Sequence, residues 1–88
     1  MRLDRYLFFI RLVKIRTLAQ GLIEQGHVRL DGKRVAKSAE EVRTGSIIAL
    51  PLNGEVRVLR VTAIPLRRGP AAEARLAYQE IDVNPAAT

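Results

Sequence analysis

Nine of the chain's fifteen Lys and Arg residues fall within residues 1–37: Arg2, Arg5, Arg11, Lys14, Arg16, Arg29, Lys33, Arg34 and Lys37. Only Asp4, Glu24 and Asp31 oppose them there, so this stretch carries the whole formal charge of +6. Residues 38–88, with six basic and six acidic residues, are neutral. An arginine fork grips two phosphate oxygens at once, and a lysine supplies a mobile point charge. The chemistry on offer is that of holding a polyanion. Bond-breaking chemistry has little to work with. The absence of cysteine excludes disulfides, thiolate metal sites and cysteine nucleophiles. His27 is the sole histidine, has no second His or Cys to share a metal, and reads as a surface or packing residue at the entrance to a strand. Ser38 and Ser46 lack a base at a recognisable spacing, the adjacent Glu40 and Glu41 diverge, and phosphate-loop and dinucleotide patterns are missing. The sequence therefore predicts no enzyme, no cofactor and no metal.

Positioning the cations falls to residues 2–35, which read as a basic helix, a short turn, a second helix and a tight hairpin. Leu3, Leu7, Ile10 and Lys14 follow i, i+4, i+7, i+11 spacing, and Tyr6 and Val13 widen the stripe, as in a helix with one buried face. Arg5 and Arg11 lie off that stripe, toward solvent. Phe8 and Leu12 also lie off it; they either pack under a later element or, for Phe8, offer a flat surface to a ligand. Lys14-Ile15-Arg16 closes the first helix with positive charge, where the dipole favours it. Thr17 as N-cap and Gln20 as its partner fit a capping box, and Ala19, Leu22 and Ile23 supply the buried side of the second helix. Gly26 is placed to stop that helix in the left-handed conformation. Gly21 inside it costs about 1 kcal/mol relative to alanine, an allowance for the close approach of another backbone.

Val28-Arg29-Leu30, Asp31-Gly32 and Lys33-Arg34-Val35 carry the signal of a type I′ hairpin. A two-residue loop pairs Leu30 with Lys33, Arg29 with Arg34, and Val28 with Val35, with the valines on the buried face. Arg29 and Arg34 then stand opposite each other on the outer face, a destabilising pairing unless an anion compensates. Residues 36–43 read as a polar connection with Lys37 and Ser38 exposed at its start. Thr44-Gly45 is a turn, 47–50 a short strand, and 52–55 a reversal. Over 56–64, Arg57 and Arg60 interrupt Val58, Leu59 and Val61, which predicts a bulge or strong twist. Pro65 ends the last strand, and Arg67-Arg68-Gly69-Pro70 leads into a short helix over 71–78, anchored by Leu76.

The expected fold class is α+β: two N-terminal helices packed on a small curled antiparallel sheet, with a short C-terminal helix. One domain is expected over 1–82, its ligand-contacting motif within 2–50, followed by a flexible tail over 83–88. No apolar run approaches the roughly 20 residues that span a bilayer, so a cytoplasmic protein without membrane contact is expected. Three readings fit the charge pattern. Structured-RNA binding leads. A helix-turn-helix-like DNA-binding regulator follows, weakened by the few basic residues between Thr17 and Gln25. An accessory subunit that binds a protein through Phe8, Leu12 and the C-terminal helix is the third.

Arg2-Leu3-Asp4, then Leu7, Arg11, Lys14-Ile15-Arg16-Thr17, Ala19, Ile23, Gly26, Val28 and the Asp31-Gly32 turn with Arg34 resemble the S4 RNA-binding domain. Arg67-Arg68-Gly69-Pro70-Ala71-Ala72-Glu73-Ala74 and Tyr78 are similar to the C-terminal part of one subgroup, the bacterial heat-shock S4 proteins that bind the large ribosomal subunit. The resemblance implies the S4-like (alpha-L motif) fold in a stand-alone protein. The partner it implies is structured RNA, 23S rRNA in the 50S subunit, together with peptidyl-tRNA on a stalled particle, in recycling or rescue. A monomer is expected. Carried onto this sequence, the RNA-facing residues are Arg2, Arg5, Arg11, Lys14, Arg16 and Thr17 from the helices and Lys33, Arg34 and Lys37 from the hairpin and its exit, with Arg29 beside Arg34. Asp4 would orient neighbouring arginines or cap the first helix. Tyr6 and Phe8 stand where relatives more often carry tryptophan, and the long basic tail of some relatives does not follow Tyr78.

Overall fold

The computed structural model describes residues 1–81. Its elements are α1 (Leu3–Phe9), α2 (Arg16–Glu24), β1 (Arg29–Leu30), β2 (Lys33–Arg34), β3 (Ile47–Leu52), β4 (Glu55–Val61), α3 (Ala71–Ala74), a 3-10 turn (Arg75–Ala77) and β5 (Tyr78–Ile81). The five strands form one antiparallel sheet in the order β2-β1-β3-β4-β5, open at both edges. The expected α+β architecture holds, with α1 and α2 packed against the sheet. The tail expected over 83–88 lies outside the described residues.

Leu3, Tyr6, Leu7 and Ile10 are buried along one face of α1, as the spacing requires. They meet Ala19 and Ile23 of α2, Val28 and Val35 of the hairpin, and Ile48, Leu50, Leu59 and Val61 from the inner face of the sheet. The N-cap side chain, Arg2, makes no cap bond to α1. Its first backbone donors go instead to the connection after the hairpin, Leu3 N–H to Glu40 O at 2.8 Å and Asp4 N–H to Ser38 O at 3.2 Å. That contact buries Ser38, which was expected to be exposed, and its hydroxyl donates to Glu24.

The first helix is shorter than its apolar stripe. It stops at Phe9, and Arg11 takes a left-handed φ of 64°. Arg11 N–H then donates to Phe8 O and Leu12 N–H to Leu7 O, the two bonds of a Schellman motif. Lys14 and Ile15 thus bridge the two helices, and Arg16 opens α2 in place of the expected close of α1. The later element over Phe8 is the loop after β4. Arg68 stacks its guanidinium 4.5 Å from the Phe8 ring and donates from Nε to Phe8 O at 3.0 Å. A carbonyl already held by Arg68 and Arg11 is not available to a further turn.

The N-cap of α2 is Ile15, with no side-chain cap bond, so the capping box on Thr17 does not form. Gln20 instead donates to the buried carboxylate of Asp4, a charged acceptor that outcompetes a helix-end N–H. Gly26 ends α2 at φ 81° as expected. Gly21 does not admit another backbone: a Cβ there would meet nothing within 4 Å.

The hairpin has the expected register, Arg29 opposite Arg34 and Leu30 opposite Lys33, with Asp31 and Gly32 at φ 52° and 83°. β3 and β4 pair without interruption from Ile47↔Arg60 to Leu52↔Glu55, so of the expected bulge or strong twist the bulge is absent from this pairing. The irregular pattern has another cause. Arg57 shares the inner face with Leu59 and Val61 but lies beyond the core, where it pairs with Glu80 of β5. The helix expected over 71–78 ends at Ala74, and Tyr78 opens a strand along β4. Ala77 forces that change. Its carbonyl accepts the buried Tyr6 hydroxyl at 2.8 Å and the N–H of Thr62 at 2.9 Å. Ala74 and Ala77 are therefore the buried anchors, and Leu76 is exposed.

Candidate nucleic-acid interface

One buried acid organises the cations of the helices. Asp4 is fully buried on the first turn of α1. Its Oδ1 accepts Arg2 Nε at 3.0 Å and the backbone N–H of Arg5 at 2.8 Å. Its Oδ2 accepts an Arg2 terminal nitrogen at 3.1 Å, Arg16 Nε at 3.1 Å and Gln20 Nε2 at 3.0 Å. Burial alone would raise the carboxyl's pKa. The bonds from Arg2, Gln20, Arg16 and the Arg5 N–H outweigh it and hold the group well below the usual carboxylate range. The guanidiniums remain partly in solvent, with side chains 44% exposed at Arg2 and 35% at Arg16. Arg5 points to solvent beside them.

A second group sits on the hairpin. Arg29, Lys33, Arg34 and Lys37 are all exposed. Lys33, Arg34 and Lys37 line an open groove with Arg43, and Glu40 and Glu41 also line it. Glu41 is tied to the N-terminal amine at 3.2 Å. Arg34 crosses the end of α2, its Cδ 3.2 Å from where a Cβ on Gly26 would stand. The glycine thus lets the arginine stem lie close against the helix end. No acid pairs with Arg29 or Arg34 among the described residues, while Asp31 accepts Ile47 N–H in the turn.

Lys14 and Thr17 are brought together elsewhere, on a second groove with Leu12, Leu18, Leu22 and Leu52. Arg11 joins neither group. Its left-handed backbone aims the side chain at the loop after β4, where Nε donates to Gly69 O. The structure also adds residues that the sequence reading left out. Arg43 enters the hairpin groove from the neutral half of the chain, with no local signal. Arg60 shares the outer sheet face with Arg29 and Arg34 by register. Gln20 belongs to the Asp4 group, and only its polar type hinted at a partner.

Among the described residues, no group of three or more His, Cys, Asp or Glu is placed to hold a metal ion, and no helix is long and apolar enough to cross a membrane. The arrangement can bind anions at fixed positions.

The S4 domain model matches residues 1–48. The chain belongs to the S4 domain family. It stands close to bacterial heat shock protein 15. The Escherichia coli (strain K12) protein of that name is 38% identical over 80 residues, covering 91% of this chain and 59% of that protein. A trimeric structure of Vibrio cholerae heat shock protein 15 superimposes with a TM-score of 0.87 at 33% identity, covering 92% of this chain and 81% of that one. The RQC P-site tRNA stabilizing factor of Halalkalibacterium halodurans is 34% identical over 64 residues, 73% of this chain and 72% of that protein. The chain spans about three fifths of the length of the curated heat shock protein 15 relatives. The S4 family is one of non-catalytic RNA-binding domains.

Proposed function

We propose that this protein binds 23S rRNA on the free 50S ribosomal subunit in the cytoplasm and takes part in the recycling or rescue of stalled particles that still carry peptidyl-tRNA. The observation that carries the reading is the pair of cationic groups, one fixed on Asp4 and one on the hairpin, within a domain of this family. Arg2, Arg5, Arg16, Lys14 and Thr17 face the RNA from the helix side, and Arg29, Lys33, Arg34 and Lys37 from the hairpin. Affinity comes from phosphate contacts and shape. The relative named for stabilising P-site tRNA supports a site near tRNA on the subunit. Residues 1–82 act as one RNA-binding unit. In this reading the protein acts as a monomer, although the Vibrio relative forms a trimer.

The alternatives lose ground on specific contacts. Arg16 is the sole basic residue of α2, which leaves a DNA-reading helix with little positive charge for a major groove. The protein-docking reading relied on Phe8, Leu12 and the C-terminal helix, but Arg68 covers Phe8, Phe8 and Leu12 pack against the core, and the helix is only Ala71–Ala74.

Sedimentation with ribosomes tests the proposal. Enrichment on free 50S particles at moderate salt, lost on Arg34→Ala and Arg16→Ala with unchanged circular dichroism, is expected. Absence from every ribosomal fraction would sink the ribosomal role, and unchanged binding by both variants would sink this surface.

A further inference from the structure

We propose that Asp4 is a positioning residue that joins Arg2 and Arg16 into a single two-pronged grip for one phosphodiester group of the bound RNA. The proposal rests on the RNA-binding reading above and concerns an acid that long-range electrostatics would count against binding. Arg2 and Arg16 are fourteen positions apart in sequence and come from the start of α1 and the start of α2. One carboxylate holds both. Arg2 engages it through Nε and one terminal nitrogen, and Arg16 through Nε alone. The remaining terminal N–H groups of both forks have no partner among the described residues, and both side chains keep solvent access. Phosphate recognition by arginine depends on a planar fork held in a fixed direction.

Burial makes the arrangement rigid. Asp4 is fully buried and receives five hydrogen bonds, including the Arg5 N–H and Gln20 Nε2. Each guanidinium is then fixed before a ligand arrives, so its rotamer entropy is not lost on binding. The local charge of the trio remains +1, enough to favour one phosphate. A lysine at either position would keep the charge and lose the fork.

The sign of one substitution separates positioning from charge. Asp4→Asn raises the net charge by one, so bulk electrostatics expects tighter RNA binding and a steeper salt dependence. Positioning expects the reverse. Filter binding of the full chain to purified 23S rRNA should show Asp4→Asn weakened by roughly tenfold, the equivalent of one charge-assisted hydrogen bond. Glu55→Gln, which also removes one negative charge but from an exposed side chain outside both cationic groups, should bind as tightly as wild type or more tightly. In an Arg16→Lys background, Asp4→Asn should cost much less, because the grip is already broken. Equal or tighter binding by Asp4→Asn overturns the proposal. If Asp4→Asn does not fold, Arg16→Lys alone decides, since wild-type affinity there means that no fork is needed. Failure of the wild-type chain to bind 23S rRNA is a separate result, and it removes the RNA-binding reading itself.

Discussion

The two N-terminal helices end in the same backbone motif with opposite side chains at its critical position. At the end of α2, Gly26 supplies the left-handed residue, and Gly26 N–H to Ile23 O and His27 N–H to Leu22 O close the motif at 3.0 Å each. At the end of α1 the equivalent position is Arg11, and the equivalent bonds run to Phe8 O and Leu7 O. Glycine takes that conformation without penalty, whereas an L-residue with a Cβ is strained by about 1–2 kcal/mol. The difference is offset by what each side chain allows. The bare Gly26 lets Arg34 lie against the helix end, which keeps that arginine on the hairpin surface. Arg11, with Arg68, laces α1 to the loop after β4. One helix end serves the cationic surface and the other holds the fold together.

That contrast can be broken from its stronger side first. Arg68→Ala removes the stacking on Phe8 and the bond to its carbonyl, and is expected to lower stability by about 2–3 kcal/mol, measured by chemical denaturation. A loss below about 0.5 kcal/mol would mean that α1 ends without help from the loop. Next, Gly26→Ala should cost about 1–2 kcal/mol from the left-handed backbone. It should also weaken RNA binding, because a Cβ 3.2 Å from Arg34 Cδ displaces that side chain. Unchanged affinity in a folded Gly26→Ala protein would separate Arg34 from the interface. The smallest effect sharpens the comparison. Arg11→Ala keeps the strain and loses the bond to Gly69, for about 1 kcal/mol of destabilisation, while Arg11→Gly relieves the strain and should lie within about 0.5 kcal/mol of wild type. Neither Arg11 variant should lower RNA affinity at matched salt by more than the loss of one charge explains.

Local signals were readable wherever a few adjacent residues decide the backbone. Asp31-Gly32 dictated the hairpin and its register, and Gly26 marked the end of α2, because only certain residues accept positive φ cheaply. The segregation of charge into residues 1–37 pointed to the cationic surface without any structure. What was not legible depended on partners distant in sequence. The length of α1 hinges on Arg68, sixty residues after Phe8, and the cap at Thr17 fails because Gln20 finds Asp4. Likewise, 71–78 has helical composition, yet the pinning of Ala77 by Tyr6 and Thr62 sends Tyr78 into a strand. Arg11 and Arg34 look alike in a sequence. Both are exposed, and only tertiary contacts reveal that Arg11 is tied to Gly69 while Arg34 lies across the end of α2.

The brace between the two halves also sets an order of events during synthesis. Residues 2–37, which hold the cationic groups, leave the ribosome well before Arg68, Gly69 and Ala77. Chains emerge N-terminus first, and long-range contacts close only after the intervening segment is available. The hairpin can therefore form early from its own residues, but α1 cannot settle until the last quarter of the chain returns to meet Tyr6, Phe8 and Arg11. A chain halted before Arg67 would carry every residue of the cationic surface on an unlocked first helix. Synthesis of residues 67–77 is then the step that locks its cationic side in place.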